Sequence, residues 1–330
     1  MKILFAGSPE IAVPILEKLV QGVEGFTLAG LLTNPDTPKG RSGKPEPTDC
    51  AAALERLAAD IPVLKPEKLN GAAREQVTAL KADLLVSFAY GKIFGPKFLS
   101  LFPQGGINIH PSLLPKYRGP TPIPAAIINR DTETGLTIQR LALEMDSGDI
   151  LMQETVPLNG RETTVSLSGF MAKKAAGLLP AALNAVAGSV SGGNLQAKPP
   201  AAPQDHSAAT YCSLIEKKDG LIDWNKSAAE IDAQIRAFDP WPLSWTMHGE
   251  QELLILEAEK LESTPNYSFL IPHSQHFPGQ VLGKDNEKGI LIQTGNGILA
   301  VSRLQYRAKK ALEWKAFLNG ARNFIGAQLR

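Results

Sequence analysis

The sequence predicts an α/β protein in which a doubly wound, mostly parallel, Rossmann-like sheet precedes a smaller β-rich domain. Short apolar runs alternate with helical patterns up to about residue 187, which is typical of a parallel sheet covered by helices. A passage rich in Gly, Ser and Pro follows, and from about His206 short strand patterns recur at a regular spacing. With 330 residues the chain exceeds the usual size of one hydrophobic core, so two domains are expected.

The elements of the first half follow from hydrophobic periodicity. Residues 2–6 form a short apolar run that predicts a strand, and residues 9–20 place Ile11, Ile15 and Leu19 on one face of a helix. The other strands are predicted at residues 26–32, 83–88, 107–110, 135–142 and 150–157, and the other helices at 49–59, 74–81, 121–129 and 163–187.

The second half has a different pattern. Residues 188–193 and 198–203 are the best linker candidates because they are rich in Gly, Ser and Pro. A helix is predicted at 227–238, capped by Ser227 with Glu230 three residues later. Strands are predicted at 252–258, 279–282, 289–294 and 297–304, a spacing that fits a small barrel or a sandwich.

The composition is that of an ordinary soluble globular protein, with 43% hydrophobic and 20% charged residues. The two cysteines, Cys50 and Cys212, are far apart and have no CxxC spacing, which argues against a disulfide framework and a cysteine zinc site. No apolar run reaches 18 residues, and the N-terminal one is too short for a signal peptide. We therefore expect a cytoplasmic protein.

Positive charge is concentrated at the C-terminus. From Arg303 to Arg330 there are seven Lys or Arg residues against one acid, Glu313. Such an excess suggests an acidic partner such as a polyanion, although a solvated basic helix face explains it equally well.

The most informative stretch is residues 108–118. Asn108 and His110 lie two apart at the end of a predicted strand, so their side chains point to the same side. In a parallel sheet this carboxyl end is where ligands bind. Together the two side chains fit a pair that stabilises an oxyanion, and Asp146 offers a carboxylate in a later turn. Taken singly, His110 also fits a structural histidine, Asn108 a turn or cap residue, and Asp146 an ordinary turn residue.

The first strand-to-helix turn argues against the rival that a βαβ pattern invites, a nicotinamide dehydrogenase. Residues 6–10 contain one glycine and no GxGxxG pattern. Without these glycines the backbone of this turn cannot approach the pyrophosphate of a dinucleotide closely.

Several motifs resemble those of a known family. Residues 108–119 and 145–149 resemble the two signatures of folate-dependent formyltransferases, and residues 7–14 resemble the family's first turn. These motifs indicate the chemistry but not the acceptor. In the second half, residues 222–224, 235–242, 309–310 and 317–320 resemble the second domain of methionyl-tRNA formyltransferases. The resemblance runs nearly end to end.

The resemblance implies transfer of the formyl group of 10-formyltetrahydrofolate to the α-amine of methionyl initiator tRNA. It implies a catalytic domain at 1–190, a linker at 191–206 and an OB-like β-barrel tRNA-binding domain at 207–330, in a cytoplasmic monomer without a metal. Alternatives are a formyltransferase acting on a nucleotide-sugar amine, a formyl-folate hydrolase and a non-catalytic tRNA-binding protein. The implied catalytic residues are Asn108, His110 and Asp146; the folate-binding residues are Ser112, Leu113, Leu114, Pro115, Phe88 and Tyr90; the tRNA-binding residues are Lys39, Arg41, Lys44, Lys309 and Lys310.

The chain departs from the family pattern at a few places. Ala308 precedes the Lys pair where glycine is usual, and the basic loop at 34–47 reads Arg-Ser-Gly-Lys-Pro from Arg41. Residues 263–277 form an apparent extra loop with His273 and His276, which prolines flank. A surface loop is favoured there over a metal site.

Overall fold

The computed structural model describes residues 1–38, 43–191, 201–261, 276–321 and 323–330. None of the helices in these ranges is both long and apolar enough to span a membrane. The contacts divide the chain into two compact units. The N-terminal unit consists of Met1–Pro122, Glu133–Pro157 and Leu167–Ser213, and the C-terminal unit consists of Ile123–Thr132, Leu158–Ser166 and Leu214–Arg330.

Up to residue 191, the elements alternate much as predicted. The strands are β1 (Lys2–Ala6), β2 (Thr27–Leu32), β3 (Thr37–Pro38), β4 (Pro45–Glu46), β5 (Val63–Leu64), β6 (Leu84–Ser87), β7 (Gly106–His110), β8 (Glu133–Arg140) and β9 (Ile150–Pro157). The helices are α1 (Val13–Gln21), α2 (Asp49–Arg56), α3 (Gly71–Ala79), α4 (Pro96–Leu99), α5 (Pro122–Ile128) and α6 (Thr164–Ser191).

A seven-stranded sheet in the order β5-β2-β1-β6-β7-β8-β9 forms the centre of the N-terminal unit. The pairings from β5 to β7 are parallel, whereas β8 pairs antiparallel with both β7 and β9. This confirms the mostly parallel sheet. His110 at the end of β7 pairs with Thr137 in the middle of β8, and β8 runs antiparallel to β7.

The C-terminal unit contains an antiparallel sheet. Its elements are α7 (Ala228–Ala237), β10 (Ser244–His248), β11 (Gln251–Lys260), β12 (Val281–Asp285), β13 (Gly289–Gln293), β14 (Ile298–Tyr306), β15 (Leu312–Glu313) and α8 (Trp314–Gly320). The strand order is β10-β11-β14-β13-β12, and β15 pairs with β14. The predicted capping box at α7 is confirmed, since the Ser227 and Glu230 side chains each bond the other's backbone N–H.

The last residues of the chain join the two edges of this sheet. On one side, the Met247 N–H in β10 donates to the Arg330 carbonyl (2.8 Å). On the other, the Val281 N–H in β12 donates to the Ala327 carbonyl (2.9 Å). Some backbone groups of both edge strands are thereby paired. The predicted second β-rich unit is confirmed as antiparallel, and its OB-like topology stays a prediction.

Two differences from the prediction have a clear physical reason. The helix predicted at 163–187 does not end at residue 187, because α6 continues to Ser191; one glycine in a helix costs only about 1 kcal/mol. Strand β10 was missed because its inward positions are polar. Thr246 is fully buried, accepts a hydrogen bond from Trp224 Nε1 (2.9 Å) and donates to the Arg330 carbonyl (2.9 Å), so no apolar alternation marks the strand.

Candidate active site

Three predicted side chains meet beside the end of β7. Asp146 Oδ1 accepts hydrogen bonds from Gln139 Nε2 (2.9 Å) and Asn108 Nδ2 (3.3 Å). Asp146 Oδ2 accepts from the Gly119 N–H (2.9 Å) and lies 3.5 Å from His110 Nδ1. The carboxylate thus contacts both the carboxamide and the imidazole, an arrangement suited to acid–base and oxyanion chemistry.

The orientation of His110 is determined by its backbone partner. Its Nε2 lies 2.8 Å from the Tyr117 carbonyl oxygen, which can only accept, so Nε2 carries the proton. Nδ1 therefore faces Asp146 and is the nitrogen that titrates. Burial lowers the pKa of His110, while Asp146 and the Tyr117 carbonyl offset part of that effect. The imidazole is consequently neutral at neutral pH.

The Asp146 carboxylate is presented by a tight turn after β8. Asp146 adopts a left-handed backbone conformation (φ 53°), which is uncommon outside glycine. Gly148 follows closely, and a Cβ there would overlap the carbonyl oxygen of Arg140. The turn thus requires glycine at 148.

Replacing Gly148 with alanine is expected to destabilise the protein, because the backbone must shift to relieve that overlap. Overpacking of this kind costs about 1–3 kcal/mol, measurable as a lower midpoint of thermal unfolding. Gly177→Ala is the matched control. A Cβ there meets nothing within 4 Å, and the helical position should gain about 0.5–1 kcal/mol. Equal stability of G148A and wild type would contradict the steric argument.

Polar side chains of β8 and β9 hydrogen-bond to the backbone of the loop after β7. Thr137 Oγ1 donates to the Ser112 carbonyl (2.7 Å) and accepts from the Leu114 N–H (3.1 Å). Gln153 Nε2 donates to the Leu114 carbonyl (2.8 Å). Ser112 is fully buried and its hydroxyl donates to the Lys116 carbonyl (2.5 Å), while Leu114 is 3% exposed. The side chains of these two predicted ligand-binding residues are therefore occupied in building the loop, and the half-buried Leu113 and Pro115 form its accessible surface.

Phe88 and Tyr90, the other predicted folate-binding residues, are core side chains. They are 1% and 2% exposed, and the Tyr90 ring stacks on Phe94 with centroids 5.4 Å apart. Burial raises the pKa of the Tyr90 hydroxyl to about 12. The Tyr90 carbonyl accepts from Asn34 Nδ2 (2.9 Å) beside a cleft of about 660 Å³ that Ser8, Asn34 and Tyr90 help to line. The rings of Phe88 and Tyr90 therefore present almost no surface to a ligand, which would contact this segment mainly through backbone atoms.

The predicted tRNA-binding residues are only partly described. Lys39 and Arg41 lie outside the described residues, as does most of the 263–277 loop, and Lys44 is exposed. Lys309 and Lys310 are exposed after β14, and the Lys309 ammonium lies 5.1 Å from the centroid of the Tyr306 ring. Ala308, the departure from glycine, has φ 65°, which is the conformation that glycine favours.

Residues that sequence reasoning missed complete the site. Gln139 stands opposite Asn108 in the β7–β8 register, and the Tyr117 carbonyl and Gly119 amide come from the loop after β7. No local pattern marks any of them. Cys50 and Cys212 are free thiols, and the described ranges contain no group of three or more His, Cys, Asp or Glu side chains that could bind a metal ion.

Comparison with known proteins identifies the family. Residues 1–183 match the family model for formyl transferases, and residues 214–322 match that for the formyl transferase C-terminal domain. A methionyl-tRNA formyltransferase of Treponema denticola is 49% identical over 331 residues, covering 98% of each chain. One from Borrelia hermsii is 38% identical over 99% of each chain.

The fold has also been seen experimentally. An N-formyltransferase from Helicobacter canadensis, solved in complex with folinic acid and dTDP-3-aminofucose, superposes with a TM-score of 0.63 at 20% identity, over 93% of this chain and 99% of that one. At this identity the likeness concerns the fold alone. On the strength of the near-complete alignments with the curated relatives, the chain belongs to the methionyl-tRNA formyltransferase family.

Proposed function

We propose that this protein transfers the formyl group of 10-formyltetrahydrofolate to the α-amine of methionyl initiator tRNA. The observation that carries the proposal is the contact of Asn108 and His110 with Asp146 at the end of a buried strand. The relatives' shared name supplies the acceptor. We expect the enzyme to act in the cytoplasm, as a monomer.

Attack of the amine on the formyl carbon places negative charge on the formyl oxygen. Asn108 is half-buried at the strand end, and its Nδ2 is a donor suited to that oxygen. Both nitrogens of His110 face protein acceptors, so we assign the oxyanion to Asn108 rather than to the imidazole. No covalent enzyme intermediate is required, since the nucleophile belongs to the substrate.

The proton balance involves the other two groups. The attacking nitrogen sheds one proton, and the departing N10 of tetrahydrofolate takes one up. The Asp146 carboxylate, with neutral His110 behind it, is positioned to accept and pass on that proton, directly or through water. His110 serves this relay best in its neutral form, which burial favours.

A flat cosubstrate needs apolar surface next to these groups. Leu113 and Pro115 provide the ledge expected from the sequence. Leu143 and Met145, which precede Asp146 on its loop, are 63% and 53% exposed. Large apolar side chains left open beside a catalytic carboxylate are best explained by ligand contact, so we add both to the proposed folate surface.

The decisive experiment is a formylation assay with 10-formyltetrahydrofolate and methionyl initiator tRNA, using elongator methionyl-tRNA as the matched acceptor. Faster formylation of the initiator is expected. Turnover only with a sugar amine would favour the alternative acceptor, and formate release to water would identify a hydrolase. Binding of tRNA without any turnover would identify a non-catalytic protein.

The exposed pair Lys309 and Lys310 is proposed to contact tRNA phosphates. Replacing both with alanine is expected to raise the KM for tRNA with little change in kcat and to flatten its salt dependence, because phosphate contacts release counterions. The matched control is alanine at Lys217 and Lys218, which removes the same charge from the same unit but from residues paired with Glu252 and Glu216. An effect on kcat alone would contradict the phosphate role.

A further inference from the structure

We propose that Gln204 is a positioning residue for formyl transfer, holding the turn that presents Asp146. This inference rests on the proposed function. Gln204 belongs to residues 201–213, which we call the strap. The sequence predicted a linker ending at 206 here, yet the strap packs within the N-terminal unit.

The amide nitrogen of Gln204 faces the machinery of the candidate site. Gln204 is 5% exposed, and its Nε2 lies within hydrogen-bond distance of three acceptors. Two are backbone carbonyls of the turn, those of Gly148 (2.6 Å) and Asp146 (2.9 Å). The third is Oε1 of Gln139 (3.2 Å), whose own amide donates to the Asp146 carboxylate. One side chain thus contacts both the backbone of Asp146 and a partner of its carboxylate.

The amide oxygen of Gln204 is held by a buried guanidinium. Arg118, 2% exposed, donates to Gln204 Oε1 from Nη2 (2.7 Å) and Nε (3.2 Å). Because a guanidinium can only donate, Arg118 prevents the amide from flipping and directs Nε2 toward the turn. Arg118 follows Tyr117, whose carbonyl orients His110.

The strap itself is anchored on both sides of Gln204. Ala202 exchanges backbone hydrogen bonds with Ile150 at the start of β9 (2.7 and 2.9 Å). Thr210 accepts from the Arg118 N–H through its carbonyl (2.8 Å) and from the Tyr117 N–H through its hydroxyl (2.9 Å). Gln204 is therefore attached to a segment that cannot easily move away. A displacement of about 1 Å at a reacting group can cost on the order of 10²-fold in rate, so such anchoring matters.

Two substitutions test the roles of the two ends of the Gln204 amide. Gln204→Glu keeps an oxygen for Arg118 but has no N–H for the turn, and Gln204→Leu keeps the approximate volume and loses both. If the donor end positions Asp146, both variants should lower kcat by roughly 10–100-fold while the KM for methionyl-tRNA changes little.

A second readout distinguishes positioning from general support of the fold. Displacing Asp146 from His110 Nδ1 removes the charge that raises the His110 pKa, so an NMR titration of Q204L should give a lower His110 pKa than in wild type. The matched control is Gln234→Glu in the C-terminal unit. Gln234 is 6% exposed and donates to the Gly220 and Leu221 carbonyls (both 3.3 Å). This control should lose thermal stability but retain kcat.

Wild-type kcat in Q204E would overturn the role of the donor end. Wild-type kcat and an unchanged His110 pKa in Q204L would overturn the inference as a whole. If Q204L fails to fold, Q204E decides alone through kcat and the KM for tRNA. Absence of formylation by the wild-type enzyme would instead refute the proposed function, and the His110 titration would still test whether Gln204 holds Asp146 in place.

Discussion

Replacing Asp146 with asparagine is expected to lower kcat for formyl transfer by roughly 10²–10⁴-fold, the usual loss when a positioned acid–base group is removed. The volume of the side chain is retained. One of its oxygens becomes an NH₂ group, however, which cannot accept a hydrogen bond, whereas the carboxylate accepts three. The donors are Asn108 Nδ2, Gln139 Nε2 and the Gly119 N–H.

The same substitution makes a prediction about His110 that does not depend on turnover. Asp146 raises the pKa of His110 against the larger lowering effect of burial, so removing its charge should lower that pKa further. The neutral imidazole then persists to lower pH, and its protonation midpoint, followed by NMR, moves to lower pH. Binding of tRNA should be unchanged. A D146N enzyme that keeps more than about a tenth of the wild-type kcat would exclude a proton-transfer role.

Replacing Asn108 with alanine is expected to lower kcat by roughly 10²–10³-fold, the loss typical of one oxyanion donor. Asn108 is half-buried, and its Nδ2 is near Asp146 Oδ1 at 3.3 Å, a long hydrogen bond that leaves the amide able to serve a second acceptor. Since this interaction strengthens only as charge develops on the formyl oxygen, kcat and kcat/KM should fall together.

Asn129→Ala is the matched control for the loss of an amide. Asn129 directly follows α5 and is exposed, and its Nδ2 donates to the Ala125 carbonyl within that helix (2.9 Å). It should leave kcat unchanged. A raised KM for formyl-folate with normal kcat in N108A would reassign Asn108 from oxyanion stabilisation to simple binding of the cosubstrate.

Much of the first unit could be predicted because its signals are local. The apolar run at β1 and the period of α1 depend only on neighbouring residues, and β1 was predicted with its observed bounds. Asn108 and His110 were found because strand geometry places residues two apart on one side. Strand β10 shows the limit of this approach, since its buried Ser244 and Thr246 carry no apolar signal.

The predicted folate ledge shows a second limit. The composition of residues 112–115 indicates an apolar loop with a hydroxyl, but it does not say which side chains face outward. The structure turns Ser112 and Leu114 inward, where hydrogen bonds to Thr137 and Gln153 hold the backbone around them. Burial of a loop residue depends on partners from β8 and β9, which the local pattern does not contain.

The sequence by itself determined the order of the elements, the family and the side chains Asn108, His110 and Asp146, because these depend on short-range periodicity and on signatures of a few residues. Only the tertiary structure decided that Asp146 contacts both other side chains, which nitrogen of His110 carries the proton, and that Gln204 reaches the turn from a segment 58 residues beyond Asp146. Those contacts arise from strand register and from the path of the strap, which join residues distant along the chain and leave no local pattern.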